Sequence, residues 1–516
     1  MGRVRAGARS QRRLIALQSG LRGSVGDNHP GGSYGRHRSK GALNMLARGA
    51  SVELRSRAVL VLALDPGWVR TRIGREPAPV PVSAPVSVPV SVSVPVSVPV
   101  PVSVSVSVSV PQPIEGQQSL PDRLRLADGG GFSMTMAFGC PGSSHTPRGH
   151  PMKRAGLTLL LLLLALAGYL SLWPVPIEPL RWSAPAAPGY AGAHAVNQKL
   201  AGLKMISLGS EEGPEHVVLA RDGKLYTTVA SGKILRMNPD GSALEVFAST
   251  GGRVLGFDFD ASGNLVAADA IKGLLSINPQ GQVSVLTDRV GPDPIRYADA
   301  VVVAGNGKIY LSDASTRFAP AAWGGTFEAS VLDIIEQSAT GRILEYDPAT
   351  RATRIVARGL SFANGVALSQ DGQTLFVNET GKYRVWKIAT QASDLDLARA
   401  GPQASVLFDN LPGYPDNLMR GQDGRIWLGF AKPRNPTIDA MADKPFLRKL
   451  TLRLPRSLWP IPKAYGHVMA FTEDGKVVAD LQDPSGAYPE TTAVTETADR
   501  LYIQSLHAKT LGWIAK

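Results

Sequence analysis

The sequence predicts an all-β fold, a six-bladed β-propeller, preceded by one N-terminal transmembrane helix and a disordered leader. Three observations predict it. Six copies of a turn-then-strand pattern follow residue 200, a Leu-rich apolar run stands just before them, and a low-complexity Val/Ser/Pro repeat stands before that. The expected divisions are a leader over 1–151, a span over 155–173, a linker over 174–200 and the propeller over 201–516.

The chain has 516 residues and a net charge of +13. Much of that charge comes from arginines within residues 1–78, where Asp27, Glu53, Asp65 and Glu76 are the acids. This basic stretch has no amphipathic period and no interleaved aromatics on which bases could stack, so nucleic acid is excluded as a partner. Residues 79–112 alternate Val with Pro or Ser. Frequent proline removes backbone donors, and the segment reads as an extended, disordered spacer. Its Val/Ser run at 102–110 has the period of a strand and no charge.

Cys140 is the one cysteine, so no intrachain disulfide forms. No CxxC and no Cys/His cluster is visible in the sequence, which speaks against a structural zinc site.

Lys153 and Arg154 precede an apolar run from Ala155 to Trp173. At ~1.5 Å per residue the run is about 28 Å long, close to a bilayer core. It reads as an uncleaved signal anchor, with a cleaved signal peptide as the alternative. Arg148, Lys153 and Arg154 put the preceding side in the cytoplasm and the propeller on the periplasmic or extracytoplasmic side. Export signals stand at true N-termini, and Met152 sits where a start is expected. Residues 1–151 are therefore expected to be absent from the native protein; mass-spectrometric peptides from that stretch would refute this.

Beyond residue 200, short β-rich runs alternate with Gly/Asp/Asn turns. One pattern ends its turn at Gly223, Gly263, Gly307, Gly372 and Gly424, with a degenerate sixth copy at Asp499. A second begins at Gly232, Lys272, Gly341, Tyr383, Gly466 and Lys509. Six copies of each imply six similar sheets around a channel.

Counting back by one shared offset from the turns reaches Glu215, Leu255, Asp299, Asn364, Asp416 and Thr491. Equivalent positions in a propeller lie on one ring around the axis. Glu215, Asp299, Asn364 and Asp416 should therefore converge, although each opens an apolar strand. Crowded carboxylates repel and burial raises their pKa values, a cost that a divalent cation removes. Oxygen donors without sulfur favour Ca²⁺, with Mg²⁺-like ions as alternatives. The competing reading is a set of polar groups hydrogen-bonded to channel water or to one another.

Several stretches carry a family resemblance: Gly213-Pro-Glu-His, Tyr297-Ala-Asp-Ala, Gly341-Arg-Ile-Leu-Glu-Tyr-Asp-Pro, Phe362-Ala-Asn-Gly and Leu411-Pro-Gly-Tyr-Pro-Asp-Asn. From about Gly202 to Lys516 the chain resembles the strictosidine synthase-like family, which includes the adipocyte plasma membrane-associated proteins. That family is related to the gluconolactonase and paraoxonase propellers. The resemblance implies a Ca²⁺ site at Glu215, Asn364 and Asp416, with Asn417 as an additional ligand and Asp299 near metal and substrate. It departs from plant strictosidine synthases in the sixth blade. Where those carry a catalytic glutamate, this chain has Thr491 or Thr492, with Glu490 close by. Loss of that base argues against Pictet–Spengler condensation.

The expected activity is hydrolysis of a small-molecule ester or lactone, with Asp299 or Asp416 as base and His216 assisting, and with His507 as a further candidate. No Gly-x-Ser-x-Gly motif is present, which speaks against a serine-hydrolase route. The alternative is a non-catalytic, metal-stabilised binding propeller. A basic, apolar insertion at 445–463 is expected to cap the channel or to lie on a membrane surface.

Overall fold

The computed structural model describes residues 151–516 apart from Ala400, together with five short strands before them. Two compact units result, Met1–Pro147 and Arg148–Lys516. In the first, Arg13–Gln18 pairs antiparallel with Arg3–Arg5 and parallel with Val59–Leu64. Ser87–Val90 also pairs antiparallel with Val104–Ser107. Uncharged Val/Ser alternation suits a strand, and Pro89 is tolerated where both strands are edges. Most of the expected leader, Cys140 included, lies outside the described residues.

The second unit holds the propeller. Its first five blades start with the strands Val217–Leu219, Val254–Phe259, Ala298–Val303, Ala363–Leu368 and Gly413–Arg420. Each blade is an antiparallel sheet of four strands, and blade 3 gains a short fifth strand, Leu395–Asp396. Blade 6 takes Thr491–Glu496, Arg500–Ser505 and Thr510–Ala515 from the end of the chain. Its outermost strand, Lys204–Ser207, comes from the start of the propeller, with Thr510 opposite Ser207. The ring is thus closed by pairing its two ends.

The repeats explain this regularity. Gly223, Gly263, Gly307, Gly372 and Gly424 occupy the turns between the first two strands of their blades, all with left-handed backbones that favour glycine. The second repeated pattern supplies the third strand of each blade, from Lys233–Met237 to Thr510–Ala515. Side chains alternate between the two faces of a strand, so every blade sends apolar groups to both neighbours. Val217, Leu225, Leu235 and Met237 of blade 1 meet Tyr502 and Leu511 of blade 6. Val266 and Leu274 of blade 2 meet Ile309, Leu311 and Leu344 of blade 3.

Two insertions cover one end of the channel. Blade 3 inserts the helices Pro320–Trp323 and Thr326–Glu336, and blade 5 inserts Pro436–Ala440 and Pro445–Arg453. The second blade 5 helix opens the expected insertion at 445–463, from which Arg448, Thr451 and Trp459 line the cavity beneath, as does Met441 just before it. The linker is strapped to these helices. Leu180 and Trp182 donate backbone N–H groups to Glu336 O and Ala442 O, and the Arg448 guanidinium reaches the carbonyls of Leu180 and Ile335.

A helix over Pro151–Leu172 coincides with the expected span. Among the described residues no helix is long and apolar enough to cross a membrane; the side chains of this helix are described without a break only from Leu159 onward.

Candidate metal centre in the channel

The first strand of most blades carries a β-bulge close to its start. In blade 3, Ala298 faces Asp313 and Val301 faces Leu311, which leaves Asp299 and Ala300 out of register. The same slip frees Asn364 and Gly365 in blade 4 and Asp416 and Asn417 in blade 5. In blade 6 it frees Thr492 and Ala493, and in blade 2 Leu255. A bulge re-aims the side chain it carries. Here it turns Asp299, Asn364 and Asp416 of apolar strands into the channel, whereas Glu215 lies just ahead of the first strand of blade 1, whose ladder has no such slip.

Glu215, Asp299, Asn364 and Asp416 all line one cavity of ≈ 510 Å³ and are all buried. Asn364 Nδ2 donates to Asp416 Oδ1 at 2.8 Å. Asn378 Nδ2 donates to the Asp416 carbonyl at 2.6 Å, and Thr380 Oγ1 to the Pro415 carbonyl at 2.7 Å, pinning the blade 5 bulge. Asn364 Oδ1 is buried without a partner.

The electrostatics follow from burial. Burial, then the charges of Glu215 and Asp416, push the Asp299 carboxyl far above the usual carboxylate range, with Arg253 opposing. Asp416 is pushed up likewise by burial and Glu215, and the Asn364 hydrogen bond opposes this. Burial also raises Glu215, against the pull of Arg253 and His507. Arg253 forms an ion pair with Glu215 and is the one cation so paired with these three acids among the described residues. Three buried acids against one arginine, with an orphaned amide oxygen beside them, fit a divalent cation with oxygen ligands. The fit is one of donor chemistry. The three carboxylates are not drawn into a tight cluster, and Glu215 is paired with Arg253.

Two expected site residues are placed elsewhere. His216 does not line the cavity. As the next residue along the chain from Glu215 it points away, and its ring packs on Phe257 with centroids 5.0 Å apart. Burial drives its pKa down to about 4, so it is a neutral histidine packed in the core. Asn417 is buried between blades, where its Nδ2 donates to the Glu215 carbonyl at 3.1 Å. Thr492 Oγ1 reaches the same carbonyl at 2.7 Å. Thr491 and Thr492 are thus inter-strand and inter-blade ties, and neither supplies a base.

The offset did not reveal a second polar group in the same cavity. Glu490 has a left-handed backbone (φ 54°) and pairs with both Lys432 and His507. Burial would raise its carboxyl, but those two partners hold it below the usual range. Its hydrogen bond to His507, the larger effect, lifts the histidine against burial. Tyr297, whose hydroxyl donates to the Thr326 carbonyl at 2.8 Å, ties the acid floor to the blade 3 helix. Above this floor the walls are mainly apolar, with Leu255, Phe327, Ile334, Phe362, Met441 and Trp459 among them.

Comparison with known proteins agrees with this architecture. Residues 192–237 match the family model "Strictosidine synthase-like, N-terminal", and residues 299–393 match "Strictosidine synthase". Protein STRICTOSIDINE SYNTHASE-LIKE 7 of Arabidopsis thaliana is 31% identical over 300 residues, 55% of this chain and 74% of that protein. The adipocyte plasma membrane-associated protein of Rattus norvegicus is 28% identical over 356 residues, 64% of this chain and 91% of the relative. Among solved structures, a gluconolactonase from Xanthomonas campestris is 18% identical with a TM-score of 0.42, covering 66% of this chain and 98% of its own. With its six blades, its two matched family regions and a relative above 30% identity along most of that relative's length, the chain belongs to the strictosidine synthase-like family.

Proposed function

We propose that the propeller is a Ca²⁺-dependent hydrolase of esters or lactones, carried on a membrane anchor, and not a Pictet–Spengler synthase. The observation that supports this most is the floor of Glu215, Asp299, Asn364 and Asp416 beneath an apolar cavity. Glu215, Asn364 and Asp416 would hold the ion; Asn417 has only Oδ1 to offer, since its Nδ2 is committed to the Glu215 carbonyl. When bound, such an ion supplies Lewis acidity at a carbonyl and stabilises a developing oxyanion.

The chain's own groups do the remainder. Asp299, ionised once a bound cation offsets burial and the charges of its acidic neighbours, would be the base that takes a proton from attacking water. Asp416 is the alternative base. The apolar walls receive the acyl or aryl part of a small substrate and exclude bulk water. Across the cavity, His507 held by Glu490 offers a proton to the leaving oxygen. Phenyl acetate and a panel of small lactones test this reading. Turnover is expected that EDTA abolishes and Ca²⁺ restores, and a pure protein with neither turnover nor bound metal would remove it.

A second reading, a binding propeller without turnover, draws on the Glu215–Arg253 ion pair. That pair already neutralises one would-be ligand without an ion.

The anchor reading rests on Pro151–Leu172, a helix about 33 Å long at ~1.5 Å per residue, on which Leu157 and every residue from Leu159 to Leu164 are exposed. Its C-terminal end is held by Arg453, which donates to the carbonyls of Leu170 and Trp173 at 3.0 and 2.7 Å. The chain is expected to stay in the membrane pellet after alkaline carbonate washing. Release into the supernatant would sink the anchor.

A further inference from the structure

Away from the channel, three metal-ligating side chains meet where the linker joins the propeller. His194 Nδ1 and His467 Nε2 each lie 2.8 Å from Asp480 Oδ2. Among the described residues this is the one group of three His, Cys, Asp or Glu whose donor atoms all fall within 4.8 Å of one another. His467 and Asp480 stand on neighbouring strands of blade 5, while His194 comes from the linker.

The surroundings have the features of a built site. The other oxygen of Asp480 is held by Gln482 Nε2 and by Asn197 Nδ2, which aims Oδ2 at both imidazoles. Outer partners that fix a ligand's orientation in this way are typical of metal sites. The His467 ring is clamped against Phe430 at 4.3 Å between centroids. Two polar atoms beside the triad are buried without a protein partner: His467 Nδ1, on a side chain only 1% exposed, and the hydroxyl of Tyr190, whose ring lies 5.5 Å from that of His467.

We propose that His194, His467 and Asp480 form a zinc site, with water completing the coordination. Two nitrogens and one carboxylate oxygen suit Zn²⁺, and unlike the channel floor they do not suit Ca²⁺. Tetrahedral zinc sets its ligands about 3.3 Å apart, so the 2.8 Å contacts open by roughly half an ångström on loading. Each imidazole shifts its remaining proton to the ring nitrogen that faces away from the ion.

The site has a structural use. Residues 194–200 run along the outermost strand of blade 5. Gln482 N donates to Asn197 Oδ1, Gln482 Nε2 to the His194 carbonyl, and Leu200 N to the Gln482 carbonyl. Four residues further on, Lys204–Ser207 closes blade 6. An ion here fastens the segment that leads into the closing strand, in a propeller that contains no cysteine.

The test uses the full chain, purified in detergent, stripped of metal and titrated with Zn²⁺ against a chromophoric chelator. Wild type and Glu215→Gln are each expected to hold one tight equivalent, and His194→Gln none. Zinc should raise the melting temperature by on the order of 5 °C in the first two and not in the third. His194 lies on the linker and not in a blade, so its variant keeps the fold, as circular dichroism will verify. The absence of a tight equivalent in wild type overturns the proposal. So does an equivalent that survives His194→Gln, or one lost in Glu215→Gln, which would place zinc in the channel.

Discussion

Asp416→Asn is expected to abolish stabilisation by calcium while making the metal-free propeller more stable at neutral pH. Both effects have one cause. Asp299, Asp416 and Glu215 all have carboxyl groups raised by burial in the folded state. The native state therefore binds protons more tightly than the unfolded chain. Their contribution to stability is fully present below the ordinary carboxylate value of about 4 and is lost as pH rises towards the raised folded values. In EDTA, wild type should melt at a lower temperature at pH 8 than at pH 5. Calcium takes over the role of the protons, so the stabilisation it gives should grow with pH, reaching about 2.7 kcal/mol at a hundredfold excess over Kd. The amide introduced by Asp416→Asn would keep an acceptor for Asn364 but remove a buried charge, so the variant should show a flatter pH dependence and no response to calcium. Melting curves at the two pH values, with EDTA and with Ca²⁺, decide. A calcium-dependent rise that persists in Asp416→Asn would show that the ion sits elsewhere. Glu215→Gln should behave similarly and would also free Arg253 from its partner.

Gly365→Ala should be among the most damaging small substitutions in the propeller. An added Cβ would lie 2.5 Å from the Asp416 carbonyl oxygen, 2.5 Å from Leu418 N and 2.6 Å from Asn417 C, all backbone of the neighbouring blade. No side chain can swing aside to relieve this, so the blade 5 bulge itself must move. Overpacking of this kind costs about 1–3 kcal/mol, and the displaced bulge carries Asp416 and Asn417. The expected result is a lower melting temperature together with weaker calcium binding. A variant that melts lower but binds calcium as wild type does would separate the bulge from the site. Gly256 and Gly429 make comparable approaches to Ala300 and Thr492. Close glycine contacts thus recur at several blade junctions.

The ring was legible in the sequence because five of the six blades reuse the same turn, and a left-handed turn selects glycine at a fixed spacing. The position of the floor residues was legible for a related reason: the bulge recurs at one place in blades 3, 4 and 5, so a single offset finds Asp299, Asn364 and Asp416, and Glu215 stands at the same offset just ahead of its strand. The bulge itself was not visible, since it is a slip in pairing that leaves no residue type behind. His216 was misplaced because proximity along a strand is not proximity in space; alternation sends it into the core. Arg253 and Lys432 were missed because they come from other blades than Glu215 and Glu490, and only the closed ring brings each pair together. The helix Thr326–Glu336 has no side-chain cap and begins after Gly324 and Gly325, so the usual start signals are missing. The zinc triad was invisible for a similar reason, with His194 far from His467 and Asp480 in the sequence.

Closing blade 6 with a strand from the start of the propeller has a consequence in time. Among the propeller strands Lys204–Ser207 is synthesised first, and its partner Thr510–Ala515 last. Until then the blades on either side of the gap each have an open flank, and the earliest strand of the propeller has no ladder to join. A chain short of its final few residues is therefore an unlatched ring, not a slightly shorter propeller. If the preceding helix holds the waiting strand at a membrane, the search for its partner takes place on a tether, which raises the local concentration of one end for the other.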